Sequence, residues 1–419
     1  MISEVDSARK PVSIVAIGAG NRANKYIQYI LDNPDKATLV GVVEINSLRR
    51  EAVAKKAGLT AAQCFESYID FFNSPKCADA VIISTPDNEH YQPAMLAINK
   101  GYHVLLEKPI AQTVEECEEI AQAARKNNVV VEICYVLHFH PYFRKLYQLV
   151  HSGEYGKIIS INHKAPVGID RMSHVYVRGI WNKKSTSGPL LTSKCCHDID
   201  FLTWITHGRC SKIASFGSLL WFRPENAPAN SAEFCVDCAA EPQCPFSAVN
   251  LYKVRRDWVS NFDVPEGSSL DEVLNKVLRT APYGKCVYRC DNDVVDHQVL
   301  IMEYENGVTV NFTMDVFTTS NVRTTHIQLT DGEIYGDEYS IKATNFHTRH
   351  TKEFDFSHCL GAPFHAGADF LTVENFVDAI NSGASHSSND IYDAIESHRI
   401  CAAAEQSRLS GNTVGIVSK

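Results

Sequence analysis

From residue 12 to about 136, short apolar runs alternate with segments whose apolar residues recur every three or four positions. The runs at 12–17, 38–44, 80–84, 103–106 and 129–134 have the length and β-branched content of buried strands. Between them, 22–31, 48–57, 92–99 and 114–126 carry the helical period. Such alternation predicts a parallel sheet covered on both faces, because each crossover lays a helix across it. Beyond 136 the pattern changes. The stretches 157–164, 212–222, 299–305, 308–316 and 326–329 are rich in β-formers, and Glu305-Asn306-Gly307 is a hairpin signal between two of them. Amphipathic helix returns at 369–380 and 391–406, with Ser388 as the predicted N-cap of the latter. The pattern thus predicts a doubly wound parallel α/β domain over 1–136. An α+β domain with a large, mainly antiparallel sheet follows over 137–419, with no internal repeat.

Composition narrows the function. The chain has 419 residues, 45% of them hydrophobic and 21% charged, which are the proportions of an ordinary soluble globular protein with two or three cores. Its 40 Lys+Arg against 49 Asp+Glu leave a net charge of −9, which argues against nucleic acid or an anionic membrane as the main partner. The N-terminus is polar and then only briefly apolar before glycines intervene, unlike a signal peptide, and no apolar run is long enough to span a bilayer. The expected location is the cytoplasm. There the 14 cysteines are expected to be reduced or, in part, metal-bound.

Gly18-Ala19-Gly20-Asn21-Arg22 directly follows the first apolar run and opens the first helix. Glycines there permit a tight turn and close approach to a pyrophosphate, which the helix N-terminus attracts, as in Rossmann domains. The third glycine of the full fingerprint is absent, since Ala23 and Asn24 occupy that region. Glu44 ends the second strand, where a carboxylate accepts hydrogen bonds from the adenosine ribose and repels a 2′-phosphate. NAD is therefore expected rather than NADP, with Arg49 and Arg50 weakening the preference. Ser84-Thr85-Pro86, with His90 four residues after the proline, and Glu107-Lys108-Pro109 fall at carboxyl ends of later strands, the ligand-binding edge of open α/β sheets.

Taken together, these motifs resemble the glucose-fructose oxidoreductase / inositol dehydrogenase (Gfo/Idh/MocA) family. The similarity extends through His174-Val175-Tyr176-Val177-Arg178-Gly179 and Cys196-His197-Asp198-Ile199-Asp200. The resemblance implies that Glu107 lies by the nicotinamide ribose, that Lys108 reaches cofactor and substrate, and that His197 hydrogen-bonds the reacting hydroxyl or carbonyl. It also implies Ser84, Thr85, Pro86, His90 and Trp181 at the cofactor, and a homo-oligomer, dimer or tetramer. Two positions depart from the family pattern. Ser193 stands where an acidic residue usually precedes the histidine by four, and Trp181 is followed by Asn182 in place of arginine.

Elementary chemistry gives these residues work of their own. Oxidising a secondary alcohol removes the hydroxyl proton as hydride leaves, and Lys108 can take it as the neutral amine, which a cationic nicotinamide and partial burial favour. In the predicted helix 188–205, Lys194 and His197 are spaced i,i+3, so Lys194 can donate to substrate or hold His197 neutral. The alternative for Lys194 is an exposed pair with Asp198. His174, Tyr176, Arg178 and Trp181 form a polar-aromatic loop suited to a sugar, and His138 and His140 are assigned to the same substrate site. Cys235, Cys238 and Cys244, with Cys286 further on, could hold a structural zinc ion in an otherwise coreless insertion at 225–295; unmetallated thiols or a disulfide are the alternatives.

The leading expectation is an NAD-dependent oxidoreductase for a sugar, glycoside or cyclitol, with Lys108, Lys194 and His197 catalytic. Two alternatives stand beside it. One is a non-hydrolytic glycosidase or lyase that oxidises the sugar transiently; the other is a non-catalytic sugar- or NAD-sensing regulator, against which the presence of both Lys108 and His197 argues.

Overall fold

The N-terminal apolar runs form a six-stranded parallel sheet in this computed structural model, which describes residues 10–262, 267–280, 282–384, 387 and 389–416. Strands β1 (Val12–Ile17), β2 (Ala37–Val43), β3 (Cys64–Phe65), β4 (Ala80–Ile83), β5 (His103–Leu106) and β6 (Val131–Ile133) lie in the order β3-β2-β1-β4-β5-β6. Every residue of β4 is buried, as a central strand covered on both faces requires. Helices Asn21–Asp32, Ser47–Ala57, Tyr91–Asn99 and Val114–Asn127 supply the crossovers. The last begins with a capping box, Thr113 accepting from the Glu116 amide while the Glu116 carboxylate accepts from the Thr113 amide, each at 3.2 Å. Strand order reverses between β1 and β4, so the turns after these strands, at Gly18 and Ser84, flank the switch point where such sheets bind ligands.

One boundary at 136/137 does not describe the packing. Among the described residues, those up to Phe139 join those from Pro363 to Ile395 in one compact unit, and those from His140 to Ala362 join those from Glu396 onward in another. The cause is helix Ala368–Ser382, whose Val373, Phe376 and Val377 are buried in the same core as β1 and helix Asn21–Asp32. Helix Ile391–Ser410 follows it; its expected cap, Ser388, lies outside the described residues.

The second unit is built on nine strands, β7 (Ile158–Pro166), β8 (Cys210–Ser218), β9 (His297–Tyr304), β10 (Thr309–Asp315), β11 (Thr324–Leu329), β12 (Gly332–Gly336), β13 (Ser340–Asn345), β14 (Thr351–Asp355) and β15 (Val414–Gly415). Their order is β14-β13-β12-β11-β7-β10-β9-β8-β15, antiparallel at each pairing except β7 with β10. Glu305-Asn306-Gly307 turns β9 into β10, with Gly307 at φ +84 and its amide donating to Tyr304 at 2.9 Å. Helix Leu190–Thr206 packs on this sheet through Phe201, whose ring lies 5.6 Å from that of His163 on β7. The insertion at 225–295 is not coreless: Leu251, Tyr252, Val259, Val273, Leu274, Val277 and Leu278 bury one another there. Among the described residues, no helix is long and apolar enough to cross a membrane.

Candidate active site

In the first unit, the glycine turn is sterically compulsory at one position and open at the next. Gly18 has φ +90, and a Cβ on it would stand 2.6 Å from the Ser84 carbonyl oxygen. At Gly20 a Cβ would meet nothing within 4 Å, so the backbone there can be approached closely. Gly20 is also the N-cap of helix Asn21–Asp32 and supplies no side-chain acceptor to its first amides, an arrangement suited to an anion. Glu44 is buried at the end of β2, one carboxylate oxygen accepting the Ala19 amide at 2.7 Å and the other the Asn46 amide at 2.9 Å. Arg50 turns back onto the carbonyls of Glu44 and Ile45, which ties its guanidinium to the backbone.

Glu107 and Arg22 come together although 85 residues separate them. Arg22 Nε donates to Glu107 at 2.7 Å, Tyr26 donates to the same oxygen at 2.6 Å, and the Lys108 amide donates to the other at 3.0 Å. Burial opposes ionisation of Glu107, but Arg22 and the Tyr26 hydroxyl outweigh it and hold the carboxyl below its usual range. A second branch of Arg22 donates to Asp369 at 2.8 Å, which in turn meets the His365 ring at 2.9 Å. His90 is reassigned. Its two ring nitrogens already face the Pro109 and Thr85 carbonyls at 2.6 and 3.0 Å, so it fastens the two strand-end loops to each other and is spent as a cofactor ligand. Lys108 and His138 are half-buried in this unit.

The second unit gathers the other predicted group. Helix Leu190–Thr206 carries Ser193, Lys194, His197 and Asp198. Asp198 is completely buried, so an exposed pair with Lys194 is ruled out. Arg323, at the entry to β11, donates from Nε to Asp198 and from a terminal nitrogen to His197 Nε2 at 2.8 Å. Glu338 receives the Arg323 amide at 2.5 Å and its guanidinium at 3.3 Å, and His163 links Asp198 at 3.3 Å to the Thr325 hydroxyl at 2.9 Å. Burial, then Arg323, pushes Lys194 down to about 8. Burial pushes His197 to about 3 against the pull of Asp198, so its imidazole is uncharged at neutral pH. Arg323, Glu338 and His163 escape a sequence reading because no local motif marks them.

The polar-aromatic segment behaves otherwise than expected. Met172–Arg178 is a turn of π-helix, not a loop. Arg178 is 2% exposed and donates to the carbonyls of Lys285 at 2.6 Å, Phe246 at 2.7 Å and Ser173 at 3.4 Å. It holds the insertion in place and has no donor fork to offer a sugar. His174 is likewise a packing residue, bonded to the Tyr252 hydroxyl at 2.8 Å and set against the rings of Trp258 and Tyr283. Tyr176 is buried beside them in the chain, and Trp181 is half-buried in the following turn. His140 caps helix Pro141–Val150, its Nδ1 accepting the Tyr142 amide at 3.3 Å.

Cys235, Cys238, Cys244 and Cys286 line one small cavity, together with Arg178. Among the described residues, however, no group of three or more His, Cys, Asp or Glu side chains is placed to hold a metal ion, and none of the 14 cysteines forms a disulfide. The Cys235 sulfur accepts from the Ala248 amide at 3.5 Å and Arg178 at 3.7 Å, and burial pushes the Cys244 and Cys286 thiols up. A zinc site at these cysteines is therefore not shown.

Comparison with known proteins bears on the first unit most directly. Residues 12–135 match the model of the oxidoreductase family with an NAD-binding Rossmann fold, GFO_IDH_MocA. Inositol 2-dehydrogenase of Corynebacterium glutamicum (strain R) is 25% identical over 49% of this chain and 57% of its own. Glucose-6-phosphate 3-dehydrogenase of Bacillus subtilis (strain 168) is 28% identical over 43% of this chain and 49% of its own. The chain thus aligns with about half the length of these two relatives. A levoglucosan dehydrogenase solved with NADH and L-sorbose shares the fold over 98% of this chain and 100% of its own, with TM-score 0.72 at 16% identity.

Proposed function

We propose that this chain belongs to the Gfo/Idh/MocA oxidoreductase family, whose NAD-binding Rossmann model residues 12–135 match, and that it is an NAD-dependent oxidoreductase acting on a hydroxyl-bearing carbon of a sugar, glycoside or cyclitol. The observation that carries this reading is the set Gly18, Gly20, Glu44 and Glu107-Lys108 at the carboxyl edge of one parallel sheet. These residues fit the cofactor: Gly20 leaves room for a pyrophosphate, Glu44 suits an unphosphorylated ribose, and the Arg50 guanidinium is tied to the backbone. When bound, NAD supplies the hydride acceptor or donor.

The chain's own residues manage the proton. In this reading Lys108 takes the hydroxyl proton, His197 hydrogen-bonds the reacting oxygen, and the buried amine of Lys194 helps to orient it. The two curated relatives act, by their names, on a cyclitol and a sugar phosphate, which supports a polyhydroxylated substrate. A homo-oligomer also belongs to this proposal. Phe216 on β8 and Val299 and Ile301 on β9 leave an exposed apolar patch on the sheet, and native mass spectrometry giving a monomer would remove that part.

The test is turnover with NAD on a panel of myo-inositol, glucose 6-phosphate and levoglucosan. Lasting NADH absorbance matched by ketone formation supports the dehydrogenase, whereas glycoside cleavage without net NADH would point to the redox-neutral chemistry. Lys108→Ala should abolish turnover while NAD affinity stays within an order of magnitude. Equal activity in that variant would overturn the mechanism.

A further inference from the structure

We propose that Arg323 is a positioning residue that locks His197 in the tautomer protonated on Nδ1, so that His197 acts only as a hydrogen-bond donor and the substrate proton goes to an amine. The inference rests on the oxidoreductase reading above and adds to it a residue and a direction for the proton.

A guanidinium has five N–H donors and no acceptor. The Arg323 nitrogen 2.8 Å from His197 Nε2 must therefore be the donor, and Nε2 must present its lone pair. A competing contact exists: Asp198 Oδ2 lies 3.1 Å from the same Nε2, as the opposite tautomer would use it. One atom cannot serve both. The shorter contact comes from the group that cannot accept, and Asp198 is already engaged by Arg323 and by His163 at 3.3 Å. Nor can the guanidinium turn aside cheaply. It is held on one edge by Asp198 and on the other by Glu338 at 3.3 Å, and its own amide is held by Glu338 at 2.5 Å. Glu338 adopts φ +61, a left-handed conformation that a non-glycine residue keeps where its surroundings impose it.

With Nε2 occupied and the imidazole uncharged, the only proton on the ring is on Nδ1. His197 can then donate to the reacting oxygen but cannot take its proton. With NAD bound as hydride acceptor, the balance for alcohol oxidation would close without it: the C–H bond would break as hydride leaves, the O–H proton would pass to the Lys108 amine of the reading above, and the carbonyl would form while Nδ1–H steadies the developing negative charge on oxygen. The charged groups facing His197 are Asp198 and Lys194 on its own helix and Arg323 just before β11.

Nuclear magnetic resonance of the full chain labelled with ¹⁵N-histidine tests the lock directly, the His197 signals being assigned by their loss in His197→Gln. The expected result is a neutral ring with the proton on Nδ1. A proton on Nε2 overturns the proposal, whether or not the enzyme proves to oxidise sugars, because the tautomer is read without turnover. Kinetics then test the consequence. Arg323→Met should lower kcat by about 100-fold with little change in KM or NAD affinity, and should bring in a new inflection of the pH–rate profile near the ordinary histidine range. Arg323→Lys, which restores a donor, should recover about tenfold of that loss. If Arg323→Met folds and keeps both kcat and the pH profile, the positioning role is refuted. If it fails to fold, the wild-type tautomer remains decisive.

Discussion

One carboxylate, Glu44, and one histidine, His174, show how much a single residue's partners decide. Glu44 accepts two backbone amides and stays at the strand end where a ribose would lie. Glu44→Ala should weaken NAD binding by about tenfold and erase most of the preference over NADP, a result that calorimetric titration with both cofactors would show. His174 carries a different prediction. Burial, then Arg178 and Arg171, pushes its imidazole down to about 4, so it stays neutral in the folded protein while the unfolded chain binds a proton below about 6.5. The unfolded state therefore gains protons first as pH falls, and stability that is intact above about 6.5 is lost progressively towards 4, by at most about 3 kcal/mol from this group. Urea unfolding at a series of pH values should show a slope of that sign, to which His197 adds, and His174→Gln should reduce it by the share of this group. From the sequence, Glu44 at a strand end and Lys194 one turn from His197 on a helix are legible as placements, because a strand's end and a helix's period mark them. His174 and Arg178 mislead because a polar side chain satisfied by buried carbonyls looks, in one dimension, like one waiting for a ligand.

At the scale of elements, β1 and β5 match the apolar runs residue for residue, since a strand buried on both faces has no choice but continuous hydrophobicity. Strands β12, β13 and β14 escape the pattern, because an outer strand such as β14 is largely exposed and needs little hydrophobic alternation. The turn after β1 offers a paired test. Gly18→Ala should cost about 2–5 kcal/mol, from the left-handed backbone and the overlap with Ser84. Gly20→Ala has open space and should leave thermal stability nearly unchanged while NAD affinity falls by about tenfold. Arg178 is one of the side chains that fasten the insertion, alongside His174 on Tyr252. Arg178→Met would strand the Lys285 and Phe246 carbonyls, at a cost of about 3 kcal/mol or more, and limited proteolysis should then cut first within 225–295 while NAD affinity is retained.

For the molecule as a whole, the unit that carries the dinucleotide motifs is completed by chain some 220 residues downstream of its first segment, an interval counted from Phe139 to Pro363. Phe376→Ala should therefore destabilise the Rossmann core by about 3–5 kcal/mol, although it lies in the last fifth of the sequence. Denaturant unfolding followed by loss of NAD binding would register this as a lower midpoint. A midpoint equal to that of the unaltered protein would show that the helix Ala368–Ser382 adds nothing to that core. By itself the sequence determined the doubly wound sheet, the glycine turn and the choice of strand ends for chemistry, because periodicity, glycine and a terminal carboxylate act over a few residues. Only the tertiary structure decided that Arg323 and Glu338 stand around His197, that Arg178 serves the insertion, and that Asp369 joins Arg22 and Glu107. Those pairings join residues far apart in the chain, and the desolvation that makes each one matter exists only once the core has closed.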